Sequence, residues 1–408
     1  MSQTPVRHRN YRLVRVSSLG YAEAAKVLYR DDPALRCCSY AEQRRSWLAE
    51  KIGHGDGLSR AMKSLGHEAE EIVCDLENLQ RTWAWEHGIE VDEKLWRTQL
   101  VLEQIAELKP EVVYLQNYDV LPYAVRRDLR SRFPFVELLV IAQEAVAPTQ
   151  KVMRELATAD VLLLSSLPLH RKCRDLGLSP HLVHSCFDPG VLSQLPAPSK
   201  VAESPLHDFT FVGASGYSPG HRRRHAALSE LMKRTALEVW STEEPRTLRA
   251  RSTNTSSRRP LSELDSSRCH APVFGLDFFE QLQRSRITFN CHRDAARGGV
   301  DNQRLFQATG VGACLITDRA ADLPELFEDG TEVVTYDCMD DCVEKVEYLL
   351  EHEDERRAIA AAGHRRTLAD HSGRKRYAAI DEIIQQALAK NRKELRTAWR
   401  GFSGSASF

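Results

Sequence analysis

The sequence predicts an α/β protein of two doubly wound domains, each a parallel sheet wrapped by helices. Three observations predict it. Short apolar runs alternate with stretches whose apolar residues recur at helical spacing, the pattern of right-handed βαβ units. A proline- and serine-rich break at residues 195–205 interrupts the alternation, and the same pattern starts again beyond it. The 408 residues exceed what one hydrophobic core usually serves, and 42% apolar residues suffice to pack two.

The elements follow in order. Residues 11–17 read as the first strand, with a turn at Gly20 and Tyr21. A helical stretch covers 40–66, broken at 53–57, and 69–74 is the second strand. A helix at 91–108 ends at Lys109-Pro110, because proline disfavours helix in the residue before it. Residues 111–116 form the next strand and end in a polar turn at 117–119. Helix 123–132, strand 136–142, helix 152–157, strand 161–165 and strand 182–185 complete this half. After the break, strand 209–212 runs into a glycine-rich loop at 213–220, and a helix carries Leu228, Leu231 and Met232 on one face. Strand 237–240 and a Ser/Arg-rich surface loop at 246–270 come next. Residues 276–283, 287–290, 302–318 and 333–336 complete a second parallel sheet. The stripe Ile380, Ile384 and Leu388 marks a C-terminal helix at 374–395, expected to pack back on the first domain, with a loose tail at 396–408. The expected division is a first domain at 1–194, a linker at 195–205 and a second domain at 206–373.

Bulk properties exclude several functions. A net charge of −1 gives no whole-molecule attraction to nucleic acid, so no nucleic-acid partner is expected. The first ten residues are polar, no stretch has the apolar length of a membrane span, and ten cysteines follow no secretory leader; a cytoplasmic protein is expected. Cys186, Cys291 and Cys314 read as buried thiols. Cys338 and Cys342 have helical spacing but no second ligand pair, and no Asp-x-Asp stands at a strand end, so no metal is expected.

Polar residues cluster where strands end. In the second half, Gly213 follows a strand and the next helix opens near His221 with Arg222, Arg223 and Arg224. A glycine-rich turn lets backbone approach a diphosphate, and arginine suits forked phosphate contacts. In the first half, His54 and Asp56 flank Gly55 in a break between helices. Asn117 and Asp119, and Gln143 and Glu144, follow strands at their carboxyl ends, where sites of α/β proteins form. The segment Asn302-Gln-Arg-Leu-Phe-Gln-Ala-Thr-Gly-Val-Gly312 reads as a short helix, a glycine stop and the start of a buried strand.

That segment resembles the signature of the CgeB-like glycosyltransferases, close to Asn-x-Arg-Leu-Phe-Glu-Ala-Thr-Gly-x-Gly. Ser285-Arg-Ile-Thr-Phe-Asn-Cys-His292, Leu323-Pro-Glu-Leu-Phe-Glu-Asp-Gly330 and Ala360-Ala-Ala-Gly-His-Arg-Arg-Thr-Leu368 are similar to the same family. The likeness is closest over residues 274–371 and looser over 20–119. It implies the GT-B fold, two Rossmann-like domains facing a central cleft, and transfer of a sugar from a nucleoside diphosphate, UDP or GDP, to an acceptor not specified. The donor would meet Gly213, Ser215, His221, Arg222, Arg224, His292, Asn302, Arg304, Leu305, Phe306, Gln307 and Thr309. Gly20, Tyr40, Asn117, Asp119 and Gln143 would face the acceptor, and His54, Asp56 and Glu144 are the catalytic candidates. Glu144 would serve as base if the enzyme inverts; if it retains, the leaving phosphate takes that role. Two positions depart from the pattern. Gln307 stands where the family has the glutamate that holds the ribose, and Gly299 stands where a second glutamate is common. These departures keep open a nucleotide-binding module of weak activity; an epimerase on the same architecture is a further alternative.

Overall fold

The structure is a computed structural model and describes residues 8–19, 22–53, 55–196, 206–214, 221–241, 264–296, 298–300 and 302–403. The first six strands are β1 (Arg12–Ser17), β2 (Glu68–Val73), β3 (Val112–Leu115), β4 (Leu138–Gln143), β5 (Val161–Leu164) and β6 (Pro180–Leu182), paired in parallel in the order β2-β1-β3-β4-β5-β6. The second sheet holds β7 (His207–Val212), β8 (Glu238–Trp240), β9 (Cys269–His270), β10 (Ser285–Asn290), β11 (Cys314–Asp318) and β12 (Val334–Tyr336), parallel in the order β12-β11-β10-β7-β8-β9. Strand order reverses between β1 and β3 in one sheet and between β7 and β10 in the other. A crevice opens at the carboxyl ends of the strands at each such point, which is where α/β sheets bind ligands.

Helices cover both faces of both sheets, and the inner strands are accordingly rich in buried apolar residues; Val-Val-Tyr-Leu of β3 is buried at every position. Ile72, Val113, Leu139 and Leu162 pack one face of the first sheet, and Leu13, Val112, Leu138 and Leu163 the other. Arg15 breaks the apolar run of β1. It lies opposite Glu71 of β2 in register, and Nη1 donates to Glu71 Oε2 at 3.1 Å with both side chains buried. Pairing offsets the cost of removing both charges from water.

Helix 40–49 starts on a capping box, Ser39 with Glu42, and helix Trp96–Leu108 ends on Lys109 in the left-handed region at φ 47°. Helices Ala22–Asp31, Glu77–Glu86 and Leu167–Asp175 were not foreseen. Residues 276–283, grouped above with the second sheet, form the helix Gly275–Gln283, with Phe279 and Leu282 buried on its inner face. The tail expected from residue 396 instead continues a helix from Gly373 to Ser403, in keeping with its Ala, Leu, Lys, Arg and Glu content. The stripe Tyr377, Ile380, Ile384 and Leu388 of that helix packs with Tyr11, Leu13, Leu58 and Met62 beneath the first sheet. Tyr11 donates its phenol hydrogen to Asp381 at 2.7 Å, which ties the helix to β1. All ten cysteines are free thiols, Cys186, Cys291 and Cys314 buried. Among the described residues no helix is long and apolar enough to cross a membrane.

Candidate active site

A cleft of about 480 Å³ lies between the two sheets and is lined from both. On the second-domain side its floor is Gly213, at the end of β7. A Cβ there would stand 2.9 Å from Nη2 of Arg304, so glycine makes room for that guanidinium. Arg304 opens the helix Arg304–Gly310 and lies over the Phe278 ring at 4.7 Å and the Phe211 ring at 5.9 Å. The aromatic faces hold the cation at the cleft. Asn302 donates to Asn290 Oδ1 at 2.8 Å, which joins the start of this segment to the end of β10. His221 and Gln307 also line the cleft.

Arg224 lines it too, but its guanidinium is anchored on backbone. Nε and Nη2 donate to Cys291 O at 3.1 and 2.7 Å, and Nη1 to Ala214 O at 3.2 Å. The arginine therefore ties Ala214, just after β7, to Cys291, just after β10. The start of the following helix, Arg222–Arg234, is occupied as well. The N–H groups of Arg222 and Arg223 donate to Asp294 at 3.0 and 3.4 Å, so a carboxylate already satisfies the helix end assigned to phosphate.

Several expected donor contacts are packing instead. Leu305 and Phe306 are wholly buried in the core against Phe327 and Val311, because the short helix turns its apolar face inward. Thr309 is buried, donates back to Leu305 O and meets the Thr367 hydroxyl at 2.6 Å. His292 is buried with its N–H held by Asp318 at 2.9 Å, outside the cleft lining. Arg222 is exposed and also lies outside it. Ser215 falls outside the described residues.

On the first-domain side Asn117, Gln143 and Glu144 line the cleft. Gln143 Oε1 accepts from Tyr118 N at 3.3 Å, which orders the turn after β3. Glu144 bridges the domains: Arg293 donates to Oε2 at 2.9 Å and Gln303 to Oε1 at 3.3 Å. Asp56 is not in the lining; Lys51 and Arg60 hold it at 2.6 and 3.0 Å, which makes it a fastening for the loop before helix Gly57–Ser64. Tyr40 lies apart from the cleft, its phenol donating to Gln104 at 3.1 Å, and Asp119 is exposed on the turn. His54 and Gly20 are outside the described residues.

The cleft also contains groups that the sequence reading missed. Arg15 reaches it from β1 and donates to Gln116 at 3.2 Å and Gly55 O at 2.9 Å. Lys51, Ser165, Ser185, Arg293, Gln303 and Arg376 are among the others. A charged residue inside an apolar strand was the available signal for Arg15; the rest come from separate segments that only the fold brings together. Among the described residues His8, His67 and Asp381 place three possible metal-ligand atoms within 4.8 Å of one another, outside the cleft lining.

Gly299, the position of the second missing glutamate, is crowded. A Cβ there would meet Pro168 Cδ at 2.8 Å and Ala296 O at 3.4 Å, so helix Leu167–Asp175 of the first domain fills the space beside it.

Residues 209–382 match a family model described as glycosyl transferase-like. No curated protein matches the chain in sequence. Among solved structures, Anabaena Alr3699/HepE in complex with UDP-glucose is similar with a TM-score of 0.59 at 11% identity, over 92% of this chain and 100% of that one. The sucrose-phosphate synthase of Thermosynechococcus elongatus gives 0.57 at 10% identity, over 93% and 100%. A glycosyltransferase from Rickettsia africae gives 0.57 at 10%, over 93% and 99%. The fold is therefore that of the GT-B glycosyltransferases: two Rossmann-like domains across one cleft.

Proposed function

We propose that this protein is a glycosyltransferase that takes a nucleoside diphosphate sugar, UDP- or GDP-linked, and passes the sugar to an acceptor lying against the first domain. The observation that carries this reading is Arg304, stacked between Phe278 and Phe211 with its fork over the glycine floor at Gly213. It stands at the β7/β10 reversal, inside the segment matched by the glycosyl transferase-like model. Complexes of the similar Anabaena protein with UDP and UDP-glucose support the ligand class.

In this mechanism Arg304 binds the diphosphate and stabilises the charge that develops as the sugar–oxygen bond breaks. A cation fixed on aromatic faces is already oriented when the leaving group forms. Gln307 faces the ribose. Glu144, through Arg293 and Gln303, joins the domains across the cleft and holds the acceptor side against the donor side, which excludes water and aligns the reacting groups. Phosphate charge is met by arginine, and we propose that turnover needs no divalent cation. The protein acts in the cytoplasm on this reading.

A second reading, a nucleotide-binding module of weak activity, is favoured by the site beside Pro168. Gly299 leaves no side chain to touch the donor sugar, and Pro168 occupies the adjacent space. Release of UDP or GDP from the respective sugar nucleotides, followed with EDTA present, separates the two. Release in EDTA supports the transferase. Release only with Mg²⁺ or Mn²⁺ would refute metal independence, and tight binding with no release would favour the module.

A further inference from the structure

The buried polar atoms on the first-domain wall of the cleft that have no hydrogen-bond partner among the described residues include Nε of Arg376 and the hydroxyl oxygens of Ser165 and Ser185. They come from three segments. Ser165 follows β5 and Ser185 lies three residues past β6, both at the carboxyl edge of the first sheet. Arg376 is in the first turn of the C-terminal helix, and its neighbour Tyr377 is packed into that sheet's core. His184, next to Ser185 in the same lining, has its Nε2 3.8 Å from Asp322 Oδ2.

The other first-domain cations at the cleft have carboxylate partners, Arg15 on Glu71 at 3.1 Å and Lys51 on Asp56 at 2.6 Å. Among the described residues Arg376 has none; burial lowers its pKa, against the opposing influence of the Cys186 thiol and the Tyr377 phenol. Holding a cation away from water without a counter-charge is unfavourable, and such groups concentrate where a ligand supplies the missing charge. The wall offers a planar guanidinium and two hydroxyl donors, a set that fits the oxygens of a phosphate or carboxylate.

We propose that Arg376, Ser165 and Ser185 form an anion subsite that holds a phosphate or carboxylate carried by the acceptor. The term acceptor rests on the glycosyl-transfer reading; anion binding at this wall does not. The groups belong to the first-domain side, opposite Gly213 and Arg304, so the anion is a different one from the donor diphosphate.

The test is calorimetric titration of inorganic phosphate into the full chain saturated with UDP. One equivalent is expected to bind. Arg376→Gln should weaken it about tenfold or more, the loss of one charged hydrogen bond. Arg376→Lys should keep measurable binding, and the double variant Ser165→Ala, Ser185→Ala should weaken it with the charge intact. UDP affinity should be unchanged in all three. If Arg376→Gln does not fold, the double serine variant decides. Absence of phosphate binding to the UDP-saturated wild type, or binding indifferent to these substitutions, would overturn the subsite. So would a parallel loss of UDP affinity in Arg376→Gln, which would assign the cation to the donor. If UDP does not bind at all, the proposed function fails, and phosphate titrated into the unliganded variants still decides the subsite.

Discussion

At Gly213 the absence of a side chain decides where a cation can stand, because any Cβ would press on Arg304 at 2.9 Å. Gln307, on the same short helix, is half-buried, and its Nε2 reaches Gln303 Oε1 at only 3.4 Å, a weak tie. A carboxylate accepts from both ribose hydroxyls, whereas an amide offers one acceptor oxygen. Gln307→Glu should therefore keep or tighten UDP binding, and Gln307→Ala should loosen it by about 1–2 kcal/mol, with 2′-deoxy-UDP losing less on the same change. Equal calorimetric affinities for all three forms would make Gln307 a packing residue. The sequence pointed to Gly213, Arg304, Asn302 and Gln307 because they sit at a strand end or in a contiguous motif. It overreached at Leu305, Phe306 and Thr309, since a motif does not separate residues that touch ligand from those that seat the helix. It missed Arg376 and Ser165, which lie more than 200 residues apart and meet only because the last helix returns to the first sheet.

The strands were the most readable elements, since apolar runs such as Val-Val-Tyr-Leu in β3 leave little alternative once both faces are covered. Helices Ala22–Asp31, Glu77–Glu86 and Leu167–Asp175 escaped because each is 10 residues or fewer, too short for the helical period to stand out. Helix Gly275–Gln283 was misplaced because Leu276, Phe278 and Phe279 crowd together and mask the helical period. Two element-scale predictions follow from buried charge. Glu71→Ala strands Arg15 between β1 and β2 and should cost about 3–5 kcal/mol in urea unfolding, with a smaller loss in the double variant Arg15→Met, Glu71→Leu. A single-variant cost within experimental error would show that the pair is not desolvated. His371 is buried after helix Glu353–Asp370, with a ring nitrogen 2.8 Å from Leu326 O, and burial holds its pKa down at about 4. Between that value and the unfolded value near 6.5 the unfolded chain binds the proton and the native chain does not. Stability is therefore present above pH 6.5 and is lost as the pH falls towards 4, by up to about 3 kcal/mol. His371→Gln should flatten that limb of the unfolding free energy against pH, and parallel curves would contradict the assignment.

Across the whole molecule, two sheets with reversed strand order present their carboxyl edges to one cleft, and cross-domain contacts fasten it: Glu144 to Arg293 and Gln303, and Pro168 against Gly299. The C-terminal helix completes the arrangement by packing Ile380, Ile384 and Leu388 under the first sheet, which sets Arg376 at the cleft wall. Alternation and the break near residue 200 made two doubly wound domains apparent; the relative placement of their edges was not, because it depends on contacts between residues distant in sequence. The proposed activity requires a nucleoside diphosphate held at the β7/β10 crevice by Arg304. The most direct measurement is calorimetric titration of UDP, GDP and the corresponding nucleosides into the wild-type chain and Arg304→Ala. The expected result is that one diphosphate binds the wild type, that Arg304→Ala weakens it by about 1.5–3 kcal/mol, and that the weak nucleoside affinity is unaltered. Failure of both diphosphates to bind the wild type, or equal diphosphate affinity in the two forms, would contradict it.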